Sequence, residues 1–274
     1  MSAHQPEFVE HAFNDRADTY RHSNWHRDYA ERLVQIADVT AHTTVIDACT
    51  GTGMAARAIA RLDPTIRVVG VDMSQKMLDR ARHETVHQSL TNIRFVHGDA
   101  TSLSDVITEG DVDLIVCSAG LLYLPITEAL SNWSSVLSAG GRIAFSSMAT
   151  GNPPAAELFR RLTADTGIMI DDPSAPLGTP GACREHIERA GLRIVEIHEE
   201  QVHFTPTDLG SAWAVHERMY TEQLDVLSHD ARAALEHRFR SELSETVGVD
   251  RADVLYCVAQ NRIAIRDEVG PDVH

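Results

Sequence analysis

From residue 41 onward, short apolar runs alternate with segments in which apolar residues recur every three or four positions. Thr44-Val45-Ile46-Asp47-Ala48 is the first run, and it stops at a glycine-containing turn. The stretch Gly53 to Leu62 is alanine-rich and favours helix. Ile66 to Val71 is mostly β-branched and apolar, a second strand. Ser74 then stands where a helix N-cap belongs, ahead of Met77, Leu78 and Ala81 on one face. Ile93 to Val96 and Asp113 to Cys117 read as the third and fourth strands. Ile126 to Leu137 reads as helix, and Arg142 to Phe145, after Gly140-Gly141, as the fifth strand. Such alternation predicts a parallel sheet with helices on both faces.

The flanks follow other rhythms. Phe13, Ala17, Tyr20, Trp25, Tyr29, Leu33 and Ile36 recur mostly at helical steps, which predicts an N-terminal helical cap over 1–40. Pro153, Pro154, Pro173, Pro176 and Pro180 interrupt the β/α order. Residues 181–190 then read as helix, 192–198 as strand, 206–247 as helices and 254–259 as the last strand. The expected organisation is a cap over 1–40 and a main domain over 41–262. That domain carries helical insertions at about 150–190 and 206–247, and residues 263–274 form a tail.

Composition narrows the function classes. The 274 residues carry 24 basic and 40 acidic side chains, a net charge of −16. Nucleic-acid affinity comes from Lys and Arg displacing counterions, so this balance argues against a nucleic-acid partner and against anionic membranes. No apolar run is long enough to span a bilayer, and Met1 to Phe13 lacks the basic and apolar regions of a signal peptide. A cytoplasmic location is expected. Cys49, Cys117, Cys183 and Cys257 show no short paired spacing, so free thiols in a reducing compartment are expected. His83-Glu84-Thr85-Val86-His87 matches the HExxH spacing of zinc proteases. It falls late on the helix after the second strand, where both histidines face solvent, and no metal is expected.

The first turn carries the chemistry. Small residues at Cys49-Thr50-Gly51-Thr52-Gly53 let a ligand approach the backbone where a parallel strand gives way to a helix. Asp72 ends the second strand, and a carboxylate there can accept bonds from both ribose hydroxyls; capping the following helix is the plain alternative. Asp99 ends the third strand in Gly98-Asp99-Ala100, where it can accept from the adenine amino group. Three acids at three successive strand ends, Asp47, Asp72 and Asp99, point to a nucleoside-bearing cofactor.

These residues resemble the class I S-adenosylmethionine-dependent methyltransferases, in the branch that contains ubiquinone/menaquinone-type and natural-product enzymes. Asp47 to Gly53 resembles the first motif of that family, with Cys49 in place of its first glycine. Val71-Asp72-Met73-Ser74, Gly98-Asp99-Ala100 and Leu137 to Gly141 resemble its later signatures, and Phe13 to Tyr20 its N-terminal segment. The resemblance implies a Rossmann-like, seven-stranded, mostly parallel α/β sheet with an antiparallel last strand, and S-adenosyl-L-methionine as cofactor. By that resemblance Asp47 helps hold the methionine ammonium, and Gly51 and Gly53 let the backbone lie against methionine and ribose. Cys49 crowds the amino-acid end. Met73 packs on the adenine, Asp99 and Ala100 read its edge, the Ser118 carbonyl faces the ammonium, and Tyr20 closes over the cofactor.

Methyl transfer needs a nucleophile aligned with the S–CH₃ bond, and a base only if the acceptor must lose a proton. Trp213, His216 and Tyr220 share a helix face, as do His22, Trp25, His26 and Tyr29. Packing on the sheet is the plain account of both faces. His216 is the first candidate base and Tyr123, after the fourth strand, the second. Asn152-Pro153-Pro154 follows the fifth strand rather than the fourth and reads as a loop. The Ser118-Ala119-Gly120-Leu121 turn lacks the acidic or amide groups that a protein-arginine or nucleic-base enzyme needs. The expected activity is methyl transfer to a small-molecule acceptor of natural-product metabolism, with a homodimer left open. The alternatives are a non-methyl reaction on the same fold, such as cyclisation or rearrangement, an NAD-dependent dehydrogenase, and a non-catalytic regulatory module.

Overall fold

The computed structural model describes Glu10, Phe13, Asn14 and residues 24–41, 43–107 and 112–261. Seven strands form one sheet in the order β3-β2-β1-β4-β5-β7-β6. They are β1 Thr44–Ala48, β2 Arg67–Asp72, β3 Ile93–His97, β4 Val112–Ser118, β5 Leu137–Met148, β6 Arg193–His203 and β7 Arg251–Gln260. The strands β1 to β5 pair in parallel, and β7 lies antiparallel between β5 and β6. This is the architecture expected from the sequence. Every residue of β1 is buried, so its apolar residues Val45, Ile46 and Ala48 fall on both faces of the sheet rather than alternating with exposed ones.

The helices are α1 Asn24–Ala37, α2 Met54–Ala60, α3 Gln75–His87, α4 Leu103–Val106, α5 Ile126–Val136, α6 Pro154–Ala164, α7 Pro180–Arg189, α8 Pro206–Met219, α9 Thr221–Leu224 and α10 His229–Glu245. One sheet face packs Ile46, Val71, Ile115, Cys117 and Phe145 against Leu130 and Trp133 of α5. The other packs Val45, Val68, Leu114 and Tyr256 against Ile59 of α2 and Tyr29 and Leu33 of α1. Tyr29, Leu33 and Ala37 recur at four-residue steps and are fully buried. The described part of the N-terminal segment is thus a layer of the main domain.

The region after β5 divides between two cores. In α7, Thr179 caps the first turn by accepting from the Ala182 N–H at 3.1 Å, and Cys183 and Ile187 bury against the sheet. By contrast α6, α8, α9 and α10 build a separate cluster around Phe159, Trp213, Leu224 and Phe239. Thr205 and Asp208 form a reciprocal capping box that fixes where α8 starts. The insertion expected over 150–190 therefore contributes α6 to this helical lobe and α7 to the sheet layer. Among the described residues no helix is long and apolar enough to cross a membrane. His83 and His87 are exposed on α3 with Nε2 atoms 3.1 Å apart, and no group of three metal-ligating side chains occurs among the described residues.

Candidate active site

The order β3-β2-β1 runs one way from the centre and β4-β5 the other, so the chain switches direction between β1 and β4. Ligands of open α/β sheets bind outside the strand ends at such a point. The turn after β1 is shaped for close approach. Cys49, Gly51 and Gly53 all take left-handed backbone conformations, with φ of 55°, 54° and 78°. A Cβ on Gly53 would press on Phe95, Ala81 and Arg57, so both conformation and space require glycine there. A side chain at Cys49 costs roughly 1–2 kcal/mol in that conformation. Gly120, across on the turn after β4, makes room for it: a Cβ there would lie 2.4 Å from the Cys49 Cβ. The side chain of Cys49 is thus accommodated by the absence of one at Gly120.

The strand-end acids are held by this turn. Asp47 is buried; its Oδ2 accepts from Thr50 Oγ1 at 2.6 Å and from the Ala56 N–H at 3.0 Å. Its Oδ1 is also buried and has no hydrogen-bond partner among the described residues. Burial pushes this carboxyl up to about 7, against the lowering pull of its Thr50 and Ala56 hydrogen bonds. A buried carboxylate oxygen lacking a donor is a place for a cation, and the ammonium of an amino-acid-bearing ligand fits it. Asp72 is buried as well, and burial raises its carboxyl above the usual range. Its Oδ2 accepts from the Gly51 N–H at 2.8 Å and its Oδ1 from the Ser74 N–H at 2.8 Å. Asp72 therefore ties the first turn to the start of α3, a role that sequence reasoning had offered only as helix capping. Each oxygen retains a second lone pair, which leaves acceptor capacity for hydroxyls.

Farther along the edge, Asp99 is exposed and its Oδ1 accepts from the Thr101 N–H at 2.8 Å, capping the turn Ala100–Ser102. Ala100 is buried, and its carbonyl accepts from Trp133 Nε1 at 2.7 Å. The Met73 carbonyl accepts from His97 Nε2 at 2.8 Å, which gives His97 a structural task. Ser118 ends β4 half-buried, and the next N–H, of Ala119, donates to Ser146 Oγ at 3.2 Å. Asp47, Cys49, Gly51, Gly53, Asp72, Met73, Asp99, Ala100 and Ser118 thus sit at or just beyond the carboxyl ends of β1 to β4. Tyr20 and His22 lie outside the described residues. From the same N-terminal segment, Asn14 Oδ1 accepts from Ser74 Oγ at 2.7 Å, and Phe13 meets Tyr123 edge-on at 5.2 Å.

A cavity of about 420 Å³ opens between this edge and the helical lobe. Ala119 and Tyr123 line it from the β4 turn, Met148 from β5, Trp25 from α1, and His216 from α8. Both candidate bases therefore face one chamber. His216 Nδ1 lies 2.7 Å from the Ala212 carbonyl, which can only accept, so Nδ1 carries the proton and Nε2 is the basic nitrogen. The His216 ring stacks on Phe159 at 5.0 Å, which fixes its plane. The Trp213 and Tyr220 face packs on Phe159 and Phe239 of the lobe rather than on the sheet. Tyr29 does pack on the sheet, against Tyr256 at 5.3 Å.

Sequence reasoning missed Arg160 and Asp172, which also line the chamber. Arg160 bridges Glu157 at 2.7 Å and Asp172 at 3.4 Å. Asp172 in turn accepts from the Gly151 and Ser174 N–H groups. No local motif marks such a pair. Asn152 and Pro153, set aside as a loop, form part of the same wall.

Residues 45–141 match the family model of a methyltransferase domain. The demethylmenaquinone methyltransferase of Deinococcus radiodurans is 33% identical over 135 residues, covering 48% of this chain and 54% of that enzyme. The chain thus spans about half the length of the curated relatives it matches. Among solved structures, a Bacillus halodurans protein superposes with a TM-score of 0.59 at 18% identity, covering 85% of this chain and 98% of its own. A (4+2)-cyclase superposes with a TM-score of 0.58 at 17% identity, covering 86% and 82%. At these identities the likeness concerns the fold.

Proposed function

We propose that the protein transfers a methyl group from S-adenosylmethionine to a small-molecule acceptor, a reading supported by the match of residues 45–141 to a methyltransferase domain. The observation that carries this reading is the buried, unpartnered Oδ1 of Asp47 at the switch point, beside a turn whose glycines admit a ligand to the backbone. S-adenosylmethionine, when bound, supplies a methyl group activated on a sulfonium. Asp47 would hold its ammonium, Asp72 its ribose, and Met73, Asp99 and Ala100 its adenine. Tyr20 is proposed to close over it and the Ser118 carbonyl to face the ammonium. Cys49 borders the amino-acid end.

The apolar chamber would orient the acceptor and exclude water, and orientation alone can supply about 7–11 kcal/mol. Its volume is within the usual range of small-ligand pockets, about 300–1,000 Å³. His216 Nε2 would take the proton of an acceptor hydroxyl, with Tyr123 the second candidate for that task. The aromatic walls suit a planar ring-bearing acceptor, and the Deinococcus relative is named for a quinone substrate. A non-methyl reaction such as cyclisation is the second reading, favoured by Cys49 and by the cyclase among fold neighbours.

Two measurements test the reading. Calorimetry should show one S-adenosylhomocysteine bound per chain and no NADH. Methyl-labelled cofactor incubated with a panel of phenols and quinols should pass label to at least one. Cofactor binding with unlabelled, rearranged product favours the second reading, and NADH binding in its place overturns both.

A further inference from the structure

In the wall of the acceptor chamber, Arg160 has its charge matched but part of its donor set idle. It stands on α6 one turn after Ala156, and both residues line the chamber. Only Nη2 meets a partner: it reaches Glu157 at 2.7 Å and Asp172 at 3.4 Å. Nε and Nη1 make no hydrogen bond among the described residues, and neither is sealed off from solvent. The side chain is 10% exposed, and the chamber is where it presents that surface.

The surrounding charge decides what those donors can take. Asp172 is held by three bonds, from the Ser174 N–H at 3.0 Å, Ser174 Oγ at 2.7 Å and the Gly151 N–H at 3.1 Å. The other charged side chains among the described lining residues are Asp208, held in the capping box of α8, and Arg218, which is exposed. With Glu157 counted, three acids face two arginines. The imidazoles of His26 and His216 add nothing when neutral. A carboxylate on the acceptor therefore meets no excess of positive charge, whereas an uncharged oxygen still meets idle N–H donors. An acceptor that fills the chamber displaces water from them. If it offers only carbon there, it leaves those donors unpaired, and sites built to hydrogen-bond a ligand reject analogues for that reason.

We propose that Arg160 is a specificity-determining residue of the chamber. An N–H that its ion pairs leave open donates to an uncharged ketone oxygen on the acceptor. Asp172 is the positioning residue: it holds the guanidinium and balances its charge, so that a ketone is preferred to a carboxylate. The acceptor class is thus a ring-bearing ketone and not an aromatic acid. This role rests on the function proposed above, which makes the chamber the acceptor's.

Calorimetry of the whole chain at about pH 8, where a histidine of ordinary pKa is neutral, tests this. The probes are three 6-methoxynaphthalenes that carry an acetyl, an ethyl or a carboxylate group at the far ring. The acetyl compound should bind about tenfold more tightly than either of the others. Arg160→Met should bring it level with the ethyl compound, whose own affinity should change by less than about twofold. Should that variant melt early, Arg160→Lys keeps the charge beside Asp172 without the planar fork, and should cut the ketone's advantage about threefold. Asp172→Asn removes a negative charge and keeps the oxygen that accepts from Ser174. It should tighten the carboxylate about threefold and leave the ethyl compound alone, which loss of a merely structural ion pair would not do. Equal binding of acetyl and ethyl compounds, a ketone preference that survives the Arg160 substitutions, a carboxylate indifferent to Asp172→Asn, or no saturable binding of any probe would overturn the proposal. Ketone binding through Arg160 with no methyl passed to any phenol or quinol would count against the methyltransferase reading and not against this role. Methyl transfer without a ketone preference would do the reverse.

Discussion

The glycine-turn edge of the sheet and the helical lobe over it are organised by different physics. At the edge, position is set by backbone: carboxylates of Asp47 and Asp72 accept from main-chain N–H groups, and left-handed residues at 49, 51 and 53 bend the chain around them. In the lobe, position is set by apolar rings, with Phe159 touching Trp213, His216, Tyr220 and Phe239. Hydrogen-bonded turns tolerate few residue types and leave a signature in sequence. Ring packing tolerates many, provided volume is kept. The family match reflects this, ending at residue 141, before the lobe begins.

The largest test of that division is Phe159→Ala. Truncating a fully buried phenylalanine costs about 3–5 kcal/mol. The loss should fall on the lobe: hydrogen exchange should quicken across α8 and α10 and stay slow in β1 and β4. Affinity for S-adenosylhomocysteine should hold within about twofold while acceptor turnover collapses. A matching loss of cofactor affinity would mean that the two regions are one cooperative unit.

Next in size, His216→Ala should lower kcat by about 10²-fold, the low end for a general base, because orientation carries much of the barrier. Cofactor affinity should be unchanged. The sharper readout is the split between parameters: kcat should fall while the KM for the acceptor changes little, as for an interaction made only in the transition state. Unaltered turnover would remove His216 and leave Tyr123 as the remaining candidate. Asp72→Ala comes third, weakening S-adenosylhomocysteine by about 1.5–3 kcal/mol as one charged acceptor is lost. Since Asp72 also anchors Gly51 and Ser74, Asp72→Asn should restore less than half of the affinity: its amide keeps one acceptor oxygen and cannot serve both turns.

How much of this could be read in advance follows the same division. The succession of strands and helices, the N-cap at Ser74 and the acids at three strand ends were legible, because period, capping and turn chemistry are local. That Cys49 requires the missing side chain of Gly120 was not, since the two are brought together only when β1 pairs with β4. Nor was the Arg160–Asp172 pair, whose members belong to separate elements and meet only across the chamber wall. The helix-spaced aromatic face of α8 was visible, but periodicity does not say what it packs against, and here it is the lobe and not the sheet.

The smallest effect concerns protons at Asp47. Its carboxyl is held at about 7 in the fold, chiefly by burial, whereas in the unfolded chain it is near the usual carboxylate value of about 4. The folded state therefore binds the proton more tightly, and this group makes the ligand-free protein less stable as pH rises from about 4 through 7, with no further loss above. Asp72, a like charge, adds to the raising, and Arg57 opposes it. An ammonium ligand demands the ionised form. Affinity for S-adenosylhomocysteine should then rise with pH between 5.5 and 7, by at most tenfold per pH unit, and level off beyond. Asp47→Asn should flatten that profile, weaken binding at pH 7.5, and remove part of the pH-dependent loss of stability in the ligand-free chain. Calorimetry and melting curves at matched pH decide it: a wild-type affinity independent of pH would mean that no cation meets Oδ1, and the edge would lose its best argument for an amino-acid-bearing cofactor.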